Sequence, residues 1–135
     1  MTTQEDKELL LRDLCARLPY GVKLAFHDLA IKQTLVCTLL GLEPFEDKPV
    51  VANTEIGSFY ILSGSAKPYL FPMSSMTEEE QRTLDSMCYG VEMVSRLSGL
   101  KMFDKAFDWL NKKHFDYRGL IEKGLAIDAT GLNIY

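Results

Sequence analysis

The chain has 135 residues, 47% hydrophobic and 25% charged, with a net charge of −4. That length predicts one domain, residues 1–135, able to bury a core without a disulfide or metal staple, and the acidic balance disfavours a protein that grips phosphate backbones through bulk charge. The first eight residues are charged and lack a signal-peptide pattern, and no apolar run approaches the roughly 20 residues that cross a bilayer, so a cytoplasmic protein with no membrane partner is expected.

Residues 4–18 predict an amphipathic helix with Leu11, Leu14, Cys15 and Leu18 on its apolar face. Thr2 and Glu5 have capping-box spacing at its start, and Pro19 ends it by lacking an N–H and restricting Leu18. Residues 20–27 alternate with period two, which places Val22, Leu24 and Phe26 on one face of a half-buried strand. Residues 34–40 are apolar on both faces and predict a central strand, and residues 50–53 and 58–62 predict two more around a turn at 53–57. Tyr69, Leu70 and Phe71, framed by Pro68 and Pro72, predict an extended strap outside any ladder.

Ser75 and Glu78 have capping-box spacing, and Glu78, Glu79 and Glu80 suit the positive end of a helix dipole. The helix they start is expected to bury Leu84, Met87, Cys88, Val91, Val94 and Leu97 and to stop at Gly99. Residues 101–113 predict the next helix, with Phe103, Ala106, Phe107 and Leu110 inward and Trp109 at the edge. His114 to Gly119 should leave it extended, letting Phe115 and Tyr117 fold back toward Trp109, and the tail 128–135 could dock through Ile134 and Tyr135. The expected architecture is therefore α+β: an N-terminal helix, about four antiparallel strands in a meander or half-barrel, and two to three C-terminal helices on one face.

Cys15, Cys37 and Cys88 are far apart among apolar neighbours and read as buried, unreactive thiols, not as a zinc set or disulfide framework. Residues 103–117 hold five of the fourteen aromatic rings, in a segment that either closes the core or forms a recognition surface. Trp109, Lys112, Lys113, His114, Phe115, Tyr117 and Arg118 mix basic and aromatic groups, a combination that can bind a protein or hold single-stranded nucleic acid. His114 and Asp116, with Asp104 and Asp108 on the preceding helix, are the residues from which an acid/base pair or a metal site would be built. The bland alternative puts Asp104 and Asp108 in solvent, paired with Lys101, Lys105 and Lys112. His27 has no second ligand at metal spacing, Ser74 and Ser75 lack a nucleophile motif, and Gly57, Gly64 and Gly99 are isolated.

Three blocks, residues 14–23 (LCARLPYGVK), 67–77 (KPYLFPMSSMT) and 108–126 (DWLNKKHFDYRGLIEKGLA), cover about forty residues. In these blocks the chain resembles a group of small uncharacterised proteins from gut Bacteroidetes, their prophages and their phages. The resemblance implies a phage or mobile-element setting and an intracellular location, and brings no cofactor or catalytic residue. The expected function is a non-enzymatic protein-interaction module needing no cofactor or metal. The alternatives are a nucleic-acid-binding accessory protein using residues 109–118, or a small enzyme built on His114 and Asp116.

Overall fold

Helix α1 spans Gln4–Arg17, followed by a 3₁₀ turn at Leu18–Tyr20 that carries Pro19. Gly21 closes the turn at φ +67°, left-handed backbone that a side chain would disfavour. The computed structural model describes residues 4–28, 31–44, 50–60, 66–89 and 95–135. Strand β1 (Lys23–Asp28) follows, then β2 (Gln33–Pro44), β3 (Val50–Thr54) and β4 (Gly57–Tyr60). These four form the expected antiparallel meander, and the register between β2 and β3 shifts between Leu39 and Gly41, a bulge in the long strand.

The proline-framed segment differs from expectation. Residues Ala66–Pro72 form β5, an interior strand antiparallel to β1 with Pro68 opposite Leu24. β5 also pairs in parallel with β6 (Phe115–Asp116) and with β7 (Ile127–Asp128). The sheet order is β4-β3-β2-β1-β5-β6, and β7 pairs β5 outside that order. Phe71 N donates to His114 O and Ala129 N to Leu70 O, so the short partners satisfy the backbone of β5 that the prolines leave available.

One face of the sheet, with Leu24, Cys37, Leu39, Ala52 and Leu70, packs on Leu10 and Leu14 of α1 and on Leu120, Leu125 and Ala126. A second cluster joins Ala25, Tyr69 and Ala129, with Phe71, Ile127 and Ile134 against it. Residues 120–135 thus contribute to both clusters, and the tail docks as expected.

Of the expected face of α1, Leu14 is buried and Leu11 and Leu18 pack against the core, but the buried centre also takes in Leu10, Asp13 and Arg17, and Cys15 is exposed. The expectation assumed that charged side chains face water; here each of the two pairs with the other and with a partner far along the chain. Helix α2 is Glu78–Cys88 and α3 is Arg96–Lys112. The N-cap of α2 is Thr77, not Ser75: Thr77 Oγ1 accepts from Glu80 N at 3.1 Å and Glu80 Oε1 from Thr77 N at 3.0 Å. Ser75 instead donates its hydroxyl to Pro72 O. Among the described residues the expected long buried stripe does not form: α2 ends at Cys88 and fully buries no side chain. Leu97 opens the exposed side of α3 and Gly99 lies buried inside that helix, while Val91 and Val94 lie outside the described residues.

Candidate functional site

Asp13 and Arg17 lie one turn apart on α1, with both side chains fully buried. Arg17 Nε donates to Asp13 Oδ2 at 2.8 Å, and Arg118 Nη1 donates to Asp13 Oδ1 at 2.8 Å. Arg17 Nη2 reaches Phe115 O in β6. Both arginines also lie against the Tyr117 ring, their guanidinium carbons 5.4 and 4.6 Å from its centroid. A carboxylate between two guanidiniums ties α1 to the chain that leaves α3, across about a hundred residues of sequence. This is a structural clamp: the charges taken from water are paired, although Arg17 Nη1 is buried without a hydrogen-bond partner among the described residues.

Beside it His114 is buried at φ +64°, and its imidazole stacks on the Tyr135 ring with centroids 3.7 Å apart. Burial, with the Arg17 charge second, lowers the imidazole pKa from 6.5 to about 4, so the ring is neutral at ordinary pH. Nδ1 has no hydrogen-bond partner among the described residues. Both carboxylate oxygens of Asp116 accept backbone N–H groups, from Leu120 at 2.8 Å and Ile121 at 2.9 Å. Asp116 therefore holds a turn and does not orient the imidazole. Tyr135 has its hydroxyl inside although 43% of the residue is exposed: it donates to Tyr69 O and accepts from Lys23 N. Burial is the main cause that pushes this phenol up to about 12.

The aromatic segment is divided: Phe115 is buried, Trp109 and Tyr117 are half-buried, and Phe103 and Phe107 are exposed. Trp109 stacks on Phe115, Phe115 meets Phe71, and Tyr117 packs on Phe107 while donating to Asn111 Oδ1. Of the seven residues expected to bind a partner, Lys112 and Lys113 are exposed, and Trp109, Tyr117 and Arg118 are half-buried. His114 and Phe115 are buried. Phe115 does fold back onto Trp109, as its alternation with polar neighbours implied. Phe103 and Phe107, expected in the core, are outside. On α3 the apolar side chains that bury are Ala106 and Leu110, and the arc beyond them is bare.

That arc is the surface the sequence reading missed. Leu97, Leu100, Phe103 and Phe107 are 63, 66, 40 and 46% exposed, and Tyr89, just past α2, is 85% exposed. The apolar residues of α3 span about two-thirds of the helix circumference, from Trp109 and Met102 round through Phe107 and Leu100 to Leu97. The breadth was visible in the sequence; which part was covered was not. Asp104 and Asp108 sit along the far edge of the arc, and neither makes an ion pair among the described residues, contrary to the expected pairing with Lys101, Lys105 and Lys112.

His27 is exposed at the end of β1, its Nδ1 3.3 Å from Thr34 Oγ1. Cys37 is buried, and burial pushes its thiol up; Cys88 is half-buried. Among the described residues no three His, Cys, Asp or Glu side chains are placed to hold a metal ion, and no helix is long and apolar enough to cross a membrane. No protein-family model, curated protein or solved structure matches this chain.

Proposed function

We propose that the protein is a small non-enzymatic protein-interaction module, working inside the cell in a phage or mobile-element setting, and that α3 presents its contact surface. The observation that carries this reading is the line of four exposed apolar side chains, Leu97, Leu100, Phe103 and Phe107, on one side of α3. Scattered single apolar residues on a surface are ordinary, whereas contiguous ones mark contact sites. A contiguous stripe with two phenylalanines suits the buried centre of an interface, where aromatic anchors carry most of the energy.

The nucleic-acid reading has less support. Trp109, Phe115 and Tyr117 pack on other rings, and Arg118 pairs with Asp13, which leaves Lys112 and Lys113 for a phosphate backbone. The His114/Asp116 enzyme reading lacks its central hydrogen bond, since Asp116 is occupied by backbone.

The test is capture from the native host by the wild type and by a Phe103→Ala/Phe107→Ala variant, with thermal unfolding run on both. The variant is expected to stay folded and to lose the proteins the wild type retains. A folded variant that retains the same proteins would remove α3 as the contact surface.

A further inference from the structure

His114 carries two costs at once. Its backbone is left-handed at φ +64°, and its imidazole is buried with Nδ1 unpartnered among the described residues. The backbone is held on both sides, since its N–H donates to Asn111 O and its carbonyl accepts Phe71 N. Arg17, whose charge acts on the ring, is fixed as well, by Asp13 and by Phe115 O. Tyr135 is the cover that can move. It stacks on the imidazole with centroids 3.7 Å apart, yet 43% of it is exposed.

The segment that brings Tyr135 there is held at its two ends. Ala129 N donates to Leu70 O next to the β5–β7 pairing. Beyond it Thr130, Gly131, Leu132 and Asn133 are exposed, and Gly131 at φ +77° and Asn133 at φ +53° turn the chain back. Ile134 then packs on the cluster of Ala25, Tyr69 and Ala129, and the Tyr135 hydroxyl sits between Lys23 N and Tyr69 O.

No carboxylate beside the ring is left to pair an imidazolium. On α1, Asp13 is already shared by Arg17 and Arg118. Both oxygens of Asp116 in β6 accept backbone N–H groups, and Asp128 in β7 accepts Thr130 N. The other charged groups are cations: Lys23 on β1, and the exposed Lys112 and Lys113 at the end of α3. Tyr69 of β5 and Tyr117 use their polar groups on Tyr135 and Asn111. A proton on His114 is therefore stabilised only when water reaches the ring, and water reaches it when Tyr135 leaves.

We infer that residues 130–135 are an acid-released latch: a proton on His114 expels Tyr135, and the segment swings off β1 and β5 about Ala129 while the sheet stays paired. Release uncovers His114 together with Ala25, Tyr69 and Phe71, against which Ile134 and Tyr135 pack. The device is independent of what α3 binds. Covered, His114 titrates at about 4; solvated, at its ordinary 6.5. The open state takes up the proton first, so the open-to-closed ratio rises ~100-fold as pH falls from about 7 to about 4.

Hydrogen exchange, read residue by residue by NMR on the full chain, separates latch opening from unfolding. Lys23 N–H is held by the Tyr135 hydroxyl, whereas Leu39 N–H is held by Val22 O within the sheet. Corrected for intrinsic exchange rates, Lys23 should be far less protected than Leu39 throughout, and its protection should fall ~100-fold across that pH interval. In His114→Asn, which tolerates the left-handed backbone, most of that fall should disappear. In Tyr135→Ala the imidazole, followed by its ring-proton shifts, should titrate near 6.5 instead of about 4. Lys23 as protected as Leu39, an equal fall in His114→Asn, or an imidazole in Tyr135→Ala that titrates as in the wild type would each overturn the latch. Should either variant fail to fold, the wild-type comparison of Lys23 with Leu39 still decides.

Discussion

Arg17 shows how a single residue organises this fold. Its guanidinium is fully buried, joins Asp13 and Phe115 O, and lies against Tyr117. Asp13 is the carboxylate both arginines share, so Asp13→Leu strands two guanidiniums and should cost about 3–5 kcal/mol, more than Arg17→Met, which leaves Asp13 paired with Arg118. Asp13→Leu combined with Arg17→Met should recover part of that loss, although Arg118 then loses its carboxylate. Urea denaturation of the three proteins checks this, and a single mutant as stable as wild type would show that the clamp is dispensable. His114 makes a second residue-scale prediction. Its pKa is about 4 when folded against an ordinary 6.5, so the unfolded chain takes up the proton first as pH falls. The contribution of neutral His114 is complete above pH 6.5, declines as pH drops toward 4, and is constant below that. The loss across this window is roughly 3 kcal/mol, from 1.36 kcal/mol per pKa unit. His114→Asn, which tolerates the left-handed backbone, should flatten the stability profile between those pH values relative to wild type. Parallel profiles for the two proteins would contradict the assignment.

Among elements, α2 and α3 show how local rules place a helix and then stop short of its surroundings. The Thr77–Glu80 capping box fixes the start of α2. Thr77→Ala should therefore cost about 1 kcal/mol, and Ser75→Ala, which loses an exposed bond to Pro72 O, should cost less. Equal midpoint shifts in guanidinium for the two variants would contradict this. In α3 the stability ranking follows burial: Leu110→Ala should cost about 2–5 kcal/mol through a cavity, and Phe107→Ala about 1 kcal/mol or less through its exposed ring. Thermal unfolding decides between them, and a Phe107→Ala as damaging as Leu110→Ala would mean that the stripe is part of the core.

Across the whole molecule, stability should be uneven. Strands β1, β2 and β5 carry Leu24, Cys37, Leu39 and Leu70, each almost completely buried, whereas α2 fully buries no side chain. Native-state hydrogen exchange should therefore be slowest at β1, β5 and the middle of β2 and fastest across α2, because local opening is easiest where few apolar contacts are lost. Protection in α2 equal to that of β1 would indicate a covered face that the exposure pattern does not show.

The sequence by itself determined the elements whose signals are local. Period-two alternation marked β1, a doubly apolar run marked β2, Pro19 ended α1, and the return of Phe115 to Trp109 followed from its neighbours. The meander of β1 to β4 was legible for the same reason, since short links favour neighbouring strands. Tertiary structure decided the rest, where the partner lies far along the chain. Two prolines around Tyr69 argued against a strand, yet β5 sits inside the sheet because β6 and β7 meet it from more than forty residues away. Charge at Asp13 and Arg17 argued for a solvent face, yet partners at Phe115 and Arg118 bury them. The apolar arc of α3 is wider than the body it packs on, and periodicity reports how much of a helix is apolar without reporting which part is covered. The exposed half at Leu100, Phe103 and Phe107 is a consequence of where α3 lands, which no local rule contains.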